Sequence, residues 1–212
     1  MQWKAAIFDM DGTLVDSMGM WRRVGMDYIR SRGVVPQEDL GRVFEPLTFV
    51  QVAQLIQERY LPDSTPEEII AGCHRLVAEF YRERALLKPH ALEFLRFLRR
   101  RGVRCCVATL TDPQLALPVL ERLGLMEVLE FCLTAQEVGK RKDQPDIYLE
   151  AARRLGAAPG EAAVFEDSCF AGRTAKAAGF YLVGVDDPHE KERDQLRAIS
   201  DRYILSFAEL MK

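Results

Sequence analysis

Two aspartates follow a short apolar run near the start of the chain and are separated by a single residue. The run Ala5–Phe8 is typical of a short buried strand, and Asp9, Asp11 and Gly12 come after it. Ligands of open α/β sheets bind beyond the carboxyl ends of the strands, so both acids are expected at the mouth of such a crevice. Neighbouring carboxylates repel each other unless a cation or a shared proton neutralises them. The pair therefore favours a hard cation such as Mg²⁺ together with a phosphate, and Gly12 lets the backbone turn close to the ligand.

This spacing alone also fits an ordinary polar turn, since Asp-Gly is a common turn pair. An EF-hand is excluded, because its glycine belongs at the sixth loop position and here it follows the second acid directly. Further polar residues stand where strands or loops of a parallel sheet end at one edge: Thr109, Lys142 and the pair Glu166-Asp167. Acids, a hydroxyl, a lysine and more acids at one edge are the parts of a phosphoryl-transfer site.

Strands and helices alternate strictly in the second half of the chain. The pattern predicts strands at 103–109, 131–134, 162–166, 180–185 and 203–205, and helices at 112–123, 145–155 and 168–178 with a short one at the end. Strands separated by helices of this length predict an α/β fold, with a doubly wound parallel sheet and right-handed crossovers.

A purely helical block interrupts this pattern after the first strand. Helices are predicted from Asp16 to Arg32 with Ser17 as N-cap, from Thr48 to Tyr60 and from Thr65 to Arg84, before a helix that Pro89 opens and Gly102 ends. The block contains no predicted strand. It therefore predicts an α-helical domain of residues 16–87 inserted into a core formed by residues 1–15 and 88–212.

Composition and charge exclude several classes of protein. The 212 residues have a formal net charge of −3, which gives no basic field and so does not favour a nucleic-acid partner. No apolar run approaches the roughly 18 residues of a membrane span, and no secretory signal precedes the first strand. The five cysteines form no Cys-x-x-Cys pair and the three histidines are scattered, so buried thiols are expected and a zinc site is not. These features predict a cytoplasmic protein, as a monomer or weak homodimer.

The order of the motifs resembles that of the haloacid dehalogenase superfamily across essentially the whole chain. The resemblance rests on these stretches: Asp9-Met10-Asp11-Gly12-Thr13-Leu14, Thr109, Lys142 with Pro145-Asp146-Ile147-Tyr148, and Phe165-Glu166-Asp167-Ser168 followed by Gly172 and Ala175-Lys176-Ala177-Ala178-Gly179. It implies a Rossmann-like core. The helical insertion is similar to the small α-helical cap of the subfamily I members, whose cap opens and closes over the crevice.

The resemblance also implies a mechanism for a Mg²⁺-dependent phosphatase of a small phosphorylated metabolite. Asp9 would attack phosphorus and form an aspartyl-phosphate, and Asp11 would act first as general acid and then as base. The resemblance implies Mg²⁺ ligands from the Asp9 carboxylate, the Asp11 backbone carbonyl and Asp167, with Glu166 as a ligand or as a partner of the ligands.

Further residues take substrate-binding roles in the same resemblance. Lys142 would neutralise charge on Asp9 and on the transferring phosphoryl group. Thr109 and the N–H of Leu110 would bind a phosphate oxygen, close to the turn at Gly12. The third motif here reads Lys142-Asp143-Gln144-Pro145-Asp146 instead of Lys-Pro-x-Pro-Asp, so Lys140 stays an alternative to Lys142. Leu110 stands where the family often has a small or polar residue, so only its backbone is expected to contact the substrate.

Cap residues are expected to select the substrate. Trp21 and Arg22 follow the nucleophile loop closely enough to face it, and the loop 44–48 offers further candidates. Packing between cap helices would explain Trp21 equally well, and a solvated helix charge would explain Arg22. Asp11 favours phosphate esters over carbon–halogen and carbon–phosphorus bonds, because the family members that cleave those bonds lack this acid.

Two other functions stay open at this level. Beta-phosphoglucomutases share the core motifs but carry a cap histidine twelve residues after the nucleophile, where this chain has Trp21. Phospho-acceptor receiver modules or a non-catalytic binding protein would use a similar acid, threonine and lysine set. The receiver modules lack an inserted helical cap, and their acidic pair precedes the acceptor strand.

Overall fold

The structure is a computed structural model that describes residues 3–36, 40–44 and 47–211. Its contacts divide the chain into two compact units. The first unit comprises Met1–Ser17 and Ala85–Lys212, and the second comprises Met18–Arg84. Within the described residues, no helix is both long and apolar enough to cross a bilayer.

The strands and helices are as follows in chain order. The strands are β1 (Ala5–Phe8), β2 (Val15–Asp16), β3 (Leu86–Leu87), β4 (Arg104–Thr109), β5 (Cys132–Thr134), β6 (Ala162–Glu166), β7 (Tyr181–Val185) and β8 (Arg202–Ile204). The α-helices are α1 (Met18–Trp21), α2 (Val24–Ser31), α3 (Leu40–Phe44), α4 (Phe49–Arg59), α5 (Pro66–Glu83), α6 (Ala91–Arg100), α7 (Pro113–Arg122), α8 (Ala135–Val138), α9 (Asp146–Arg154), α10 (Cys169–Ala177) and α11 (Arg193–Ile199).

A six-stranded parallel sheet forms the centre of the first unit, in the order β5-β4-β1-β6-β7-β8. The predicted α/β fold with a parallel sheet is thus confirmed. Strands β4 and β5 follow β1 on one side of it, and β6, β7 and β8 continue the sheet on the other side, so the strand order reverses at β1. The carboxyl ends of β1, β4 and β6 therefore lie side by side. This is the position at which open α/β sheets bind their ligands.

Strand β1 is apolar throughout because the sheet is covered on both faces. Ile7 belongs to a buried cluster that includes Ile147 and Tyr148 of α9. On the other face, Phe8 stacks on Phe165 with ring centroids 4.3 Å apart, and both rings pack near Phe94 of α6. All five cysteines are buried free thiols, as the sequence predicts.

The second unit is built from helices α1 to α5. The N-caps of α4 and α5 are Thr48 and Thr65, and each forms a capping box with the residue three positions later. Helices α2 and α5 approach so closely that a Cβ on Gly72 would lie 2.0 Å from the ring of Tyr28. A glycine at position 72 therefore permits this packing.

The prediction of one helix from Asp16 to Arg32 was wrong. Val15 and Asp16 form β2, which pairs antiparallel with β3, and the following residues divide into α1 and α2. Ser17, the predicted N-cap, directly precedes α1, and its hydroxyl donates to Asp11. Residues 16–87 were expected to contain no strand, and this was wrong at both ends, because Asp16 belongs to β2 and β3 comprises Leu86–Leu87. Helix α3 was not predicted, and residues 45 and 46 of the loop 44–48 lie outside the described residues.

Candidate active site

A tight turn at the carboxyl end of β1 carries the first two candidate carboxylates. The N–H of Asp9 donates to the Phe165 carbonyl at 2.9 Å, which continues the β1–β6 pairing up to the first acid. The chain then turns through Gly12, whose φ of 85° lies in the left-handed region that favours glycine. Its N–H donates to the Val15 carbonyl at 2.8 Å, so the turn closes on itself.

Lys142 joins two of the candidate acids at the floor of this site. Its Nζ donates to Asp9 Oδ1 and, at 2.5 Å, to Glu166 Oε1, and its side chain is 3% exposed. Burial alone would lower the pKa of Lys142, but the carboxylates of Asp9 and Glu166 raise it above its ordinary value. Lys140, the alternative candidate, is exposed. The structure therefore brings Lys142, and not Lys140, to the acids.

Three buried carboxylates form a cluster at this site, and two of them contact the lysine. One oxygen from each of Asp9, Glu166 and Asp167 lies within 4.8 Å of the others. Burial raises the pKa of Asp9 from 3.8 to about 8 in spite of Lys142, with Glu166 and Asp11 adding to the rise. Burial, Asp9 and Glu166 likewise raise the pKa of Asp167 well above its ordinary value. If all three carboxylates are ionised, they exceed the single ammonium by two negative charges, and their oxygen atoms are donors that fit a hard divalent cation.

The Asp11 carboxylate is not one of these three, and two hydroxyl groups hold it in place. Ser17 Oγ donates to Asp11 Oδ1 and Thr111 Oγ1 donates to Oδ2, both at 2.6 Å. Each carboxylate oxygen thus accepts a short hydrogen bond from a different segment of the first unit. This arrangement fixes the plane of the carboxylate at the rim of the turn.

Thr109 and Leu110 end β4 beside the turn. The Thr109 hydroxyl oxygen is buried and accepts a hydrogen bond from the Thr111 N–H at 3.0 Å. The hydroxyl proton of Thr109 therefore points away from the Thr111 N–H. The Leu110 side chain is 42% exposed.

Several residues that hold these groups in place were not predicted from the sequence. Thr13 Oγ1 donates to Asp167 Oδ1 at 3.0 Å, and the Tyr148 hydroxyl donates to Glu166 Oε1 at 2.6 Å. Ser17 and Thr111 hold Asp11. Of these residues, only Tyr148 could have been noticed in the sequence. It lies on the apolar face of a helix, and a buried phenol needs a hydrogen-bond partner.

Trp21 and Arg22 lie in the second unit, where they line a cavity of about 240 Å³. Most of its other lining side chains are apolar, including Phe44 and Phe49. Trp21 Nε1 donates to the Tyr81 hydroxyl at 3.0 Å, and its ring packs edge-on against Phe49. The indole is thus anchored on one edge while it contributes to the cavity wall.

Residues 3–179 match the family model of the haloacid dehalogenase-like hydrolases. The chain is 29% identical to hexitol phosphatase A of Escherichia coli (strain K12), over 91% of this chain and 88% of that protein. It is 28% identical to a phosphorylated carbohydrates phosphatase of Thermotoga maritima, over 83% and 82% of the two chains. Among solved structures, CbbY from Rhodobacter sphaeroides in complex with phosphate superposes with a TM-score of 0.77 at 26% identity, over 98% of this chain and 96% of that chain.

Proposed function

Because the chain belongs to the haloacid dehalogenase-like hydrolases, we propose that it is a cytoplasmic Mg²⁺-dependent phosphatase that acts through an aspartyl-phosphate. The observation that carries the proposal is the buried contact of Lys142 with Asp9, beside the carboxylates of Glu166 and Asp167. An ammonium and a divalent cation together would balance the three negative charges. They would keep Asp9 ionised, and thus nucleophilic, at neutral pH.

In the first chemical step, an Asp9 carboxylate oxygen attacks phosphorus in line with the leaving oxygen. The bond from phosphorus to the leaving oxygen breaks, and protonated Asp11 gives its proton to that oxygen. The ammonium of Lys142 offsets the charge on Asp9 and on the transferring group. Ser17 and Thr111 keep the Asp11 carboxylate oriented towards the turn.

In the second step, Asp11 removes a proton from a water molecule that attacks the same phosphorus. The bond between phosphorus and Asp9 breaks, which returns Asp9 as a carboxylate and releases inorganic phosphate. Asp11 is then protonated again and ready for the next substrate. One residue acts as acid and as base because the proton it gives up in the first step is replaced in the second.

The carboxylates of Asp9 and Asp167 would hold Mg²⁺ with the Asp11 backbone carbonyl, and Glu166 beside them would be a further ligand or a partner of the ligands. When bound, the ion stabilises negative charge on the phosphoryl oxygens. Thr13 donates to Asp167 and so keeps one of these carboxylates in its rotamer.

The phosphate would be bound by the Thr109 hydroxyl and the Leu110 N–H. Since the Thr109 oxygen already accepts from the Thr111 N–H, the Thr109 proton is free to be donated to a phosphoryl oxygen. Gly12 contributes by its left-handed conformation, which allows the turn to approach the ligand without a Cβ.

We propose a phosphorylated sugar or sugar alcohol as substrate, and the second unit as the cap that selects it. The similarity to hexitol phosphatase A and to the phosphorylated carbohydrates phosphatase supports this substrate class. Trp21 offers a flat ring of the kind that packs on the C–H face of a sugar, and Arg22 offers hydrogen-bond donors for hydroxyl groups.

Release of inorganic phosphate from a panel of sugar phosphates, hexitol phosphates and nucleotides tests the proposal. We expect release with Mg²⁺ and its loss with a chelator, and the ranking of substrates identifies the class. Equal release with and without metal would contradict the metal dependence. Isomerised sugar phosphate without phosphate release would favour the mutase, and a stable acyl-phosphate without turnover would favour a phospho-acceptor protein.

A further inference from the structure

One buried hydroxyl beside the carboxylates has no part in the chemical steps above. The Tyr148 phenol donates to Glu166 Oε1 at 2.6 Å, and Lys142 Nζ donates to the same oxygen at 2.5 Å. The ammonium also lies 5.7 Å from the centroid of the Tyr148 ring. One oxygen of Glu166 therefore accepts hydrogen bonds from two donors, and the ring of the tyrosine that supplies one of them faces the ammonium that supplies the other.

The position of this hydroxyl is determined by packing. Tyr148 is fully buried in α9 among the apolar residues that cover one face of the sheet, and its ring packs edge-on against Phe180. A ring held in this way leaves its hydroxyl little freedom. A carboxylate whose one oxygen is fixed by two donors has its second oxygen fixed as well, because the group is planar and rigid.

We propose that Tyr148 is a positioning residue, which holds Glu166 Oε1 together with Lys142 so that the second Glu166 oxygen serves as a ligand of the divalent cation. This inference rests on the proposed function, and it decides between the two roles that the family resemblance leaves open for Glu166. Tyr148 touches neither substrate nor metal in this scheme. Its hydroxyl acts through the orientation of Glu166 and through the shared contact with Lys142.

The substitution Tyr148→Phe removes the hydroxyl and keeps the ring, so packing and the contact between ammonium and ring are preserved. Tyr203→Phe is the matched control. The Tyr203 hydroxyl also donates to a carboxylate, Asp186 Oδ1 at 2.5 Å, but this pair has no role in the proposed mechanism. Tyr203→Phe thus loses a hydrogen bond of the same kind outside the candidate metal site.

Binding of Mn²⁺ to the full chain, counted as free ion by electron paramagnetic resonance, gives a readout that is independent of turnover. We expect Tyr148→Phe to weaken Mn²⁺ binding by about 10-fold, as is typical when a partner of a metal ligand is removed. At saturating metal we also expect kcat to fall while KM changes little. Tyr203→Phe should leave Mn²⁺ affinity and kcat unchanged.

Equal Mn²⁺ affinity in the wild type and Tyr148→Phe would overturn the inference, and phosphate release by both would leave the proposed function intact. A wild-type chain that neither binds Mn²⁺ nor releases phosphate would overturn both. A second measurement keeps the inference testable if Tyr148→Phe does not fold. 3-Fluorotyrosine placed at position 148 of the otherwise unchanged chain should show a fluorine resonance that shifts on addition of Mg²⁺, whereas the same label at position 203 should not. A label at position 148 that does not respond would also overturn the inference.

Discussion

The ammonium of Lys88 lies 2.8 Å from Asp187 Oδ2, in an ion pair whose side chains are 11% and 0% exposed. The same ammonium donates to the Asp186 carbonyl at 3.0 Å, and the Lys88 N–H donates to the Leu14 carbonyl at 2.9 Å. Lys88 thus joins the turn that carries Asp9 to the loop that follows β7.

Loss of one partner of this pair should destabilise the first unit strongly. Asp187→Asn leaves a buried ammonium uncompensated, and such a change costs on the order of 3–5 kcal/mol of unfolding free energy. Urea unfolding of Asp187→Asn, Lys88→Met and the double variant measures the coupling, and we expect the double variant to lose less than the sum of the two. The exposed pair Lys4–Glu161 is the control, since Glu161→Gln should cost at most about 1 kcal/mol. Equal losses for Asp187→Asn and Glu161→Gln would contradict the prediction.

Asp9→Asn should abolish turnover and leave the fold unchanged. The amide has nearly the shape of the carboxylate but is not a nucleophile, so we expect kcat to fall by about a thousandfold or more. Phosphate release measures the loss, and circular dichroism checks the fold. Asp63→Asn, an exposed acid of the second unit, is the control and should retain full activity. Substantial turnover by Asp9→Asn would refute the assignment of the nucleophile.

The metal-free protein should become less stable as the pH rises towards about 8. Burial raises the pKa of Asp9 from 3.8 to about 8, so the folded state keeps a proton between these pH values that the unfolded state has released. The unfolding free energy therefore falls with increasing pH between about 4 and 8. The groups that set this pKa besides burial are Lys142, Glu166 and Asp11.

Thermal unfolding in chelator across this pH range measures the effect. Asp9→Asn cannot titrate at this position, so the wild type should lose more stability with pH than the variant. Mg²⁺ should flatten the wild-type curve, because a cation takes the place of the proton. Parallel curves for the two chains in chelator would show that Asp9 is not responsible.

The acids of the site could be predicted because they follow strands whose apolar runs are visible in the sequence. Lys142 lies instead in the loop before α9, and its offset of four residues from Asp146 was the signal for it. The residues that orient these side chains could not be predicted from the sequence. Thr13 reaches Asp167 across 154 residues and Thr111 reaches Asp11 across 100, and no local pattern signals such contacts. Strands β2 and β3 are two residues each, too short for an alternating pattern to show. The hydrogen bond from Ser17 to Asp11 was likewise not predicted.

The two hydroxyls on Asp11 should each contribute to the rate. Ser17→Ala and Thr111→Val each remove one hydrogen bond of 2.6 Å and free the carboxylate to rotate, so we expect kcat to fall about 10-fold in each. Because both hydroxyls restrain one group, the double variant should lose less than the product of the two effects. Ser31→Ala, which removes a hydroxyl bonded to the Tyr28 carbonyl in the second unit, is the control. Unchanged kcat in both single variants would show that Asp11 is held by other contacts.

Trp21 should govern substrate choice more than chemistry if the second unit acts as the cap. Trp21→Ala removes an indole that Tyr81 anchors and Phe49 packs against, which opens the cavity wall. We expect kcat/KM for the preferred sugar phosphate to fall about 10-fold or more, because a substrate loses its contact with the ring. A small ester such as p-nitrophenyl phosphate depends mainly on the groups around Asp9, and its rate should change by less than about 3-fold.

Tyr81→Phe is the matched variant for Trp21→Ala, since it removes the hydrogen bond to the indole and keeps both rings. It should shift the substrate ranking in the same direction but by a smaller factor, because the indole stays in place with one restraint fewer. A ranking that is unchanged in Trp21→Ala would remove this residue from the substrate site and leave it a packing role between helices. A parallel loss on every substrate would instead indicate that the second unit had been damaged as a whole, and melting curves of both variants separate that outcome from a change in specificity.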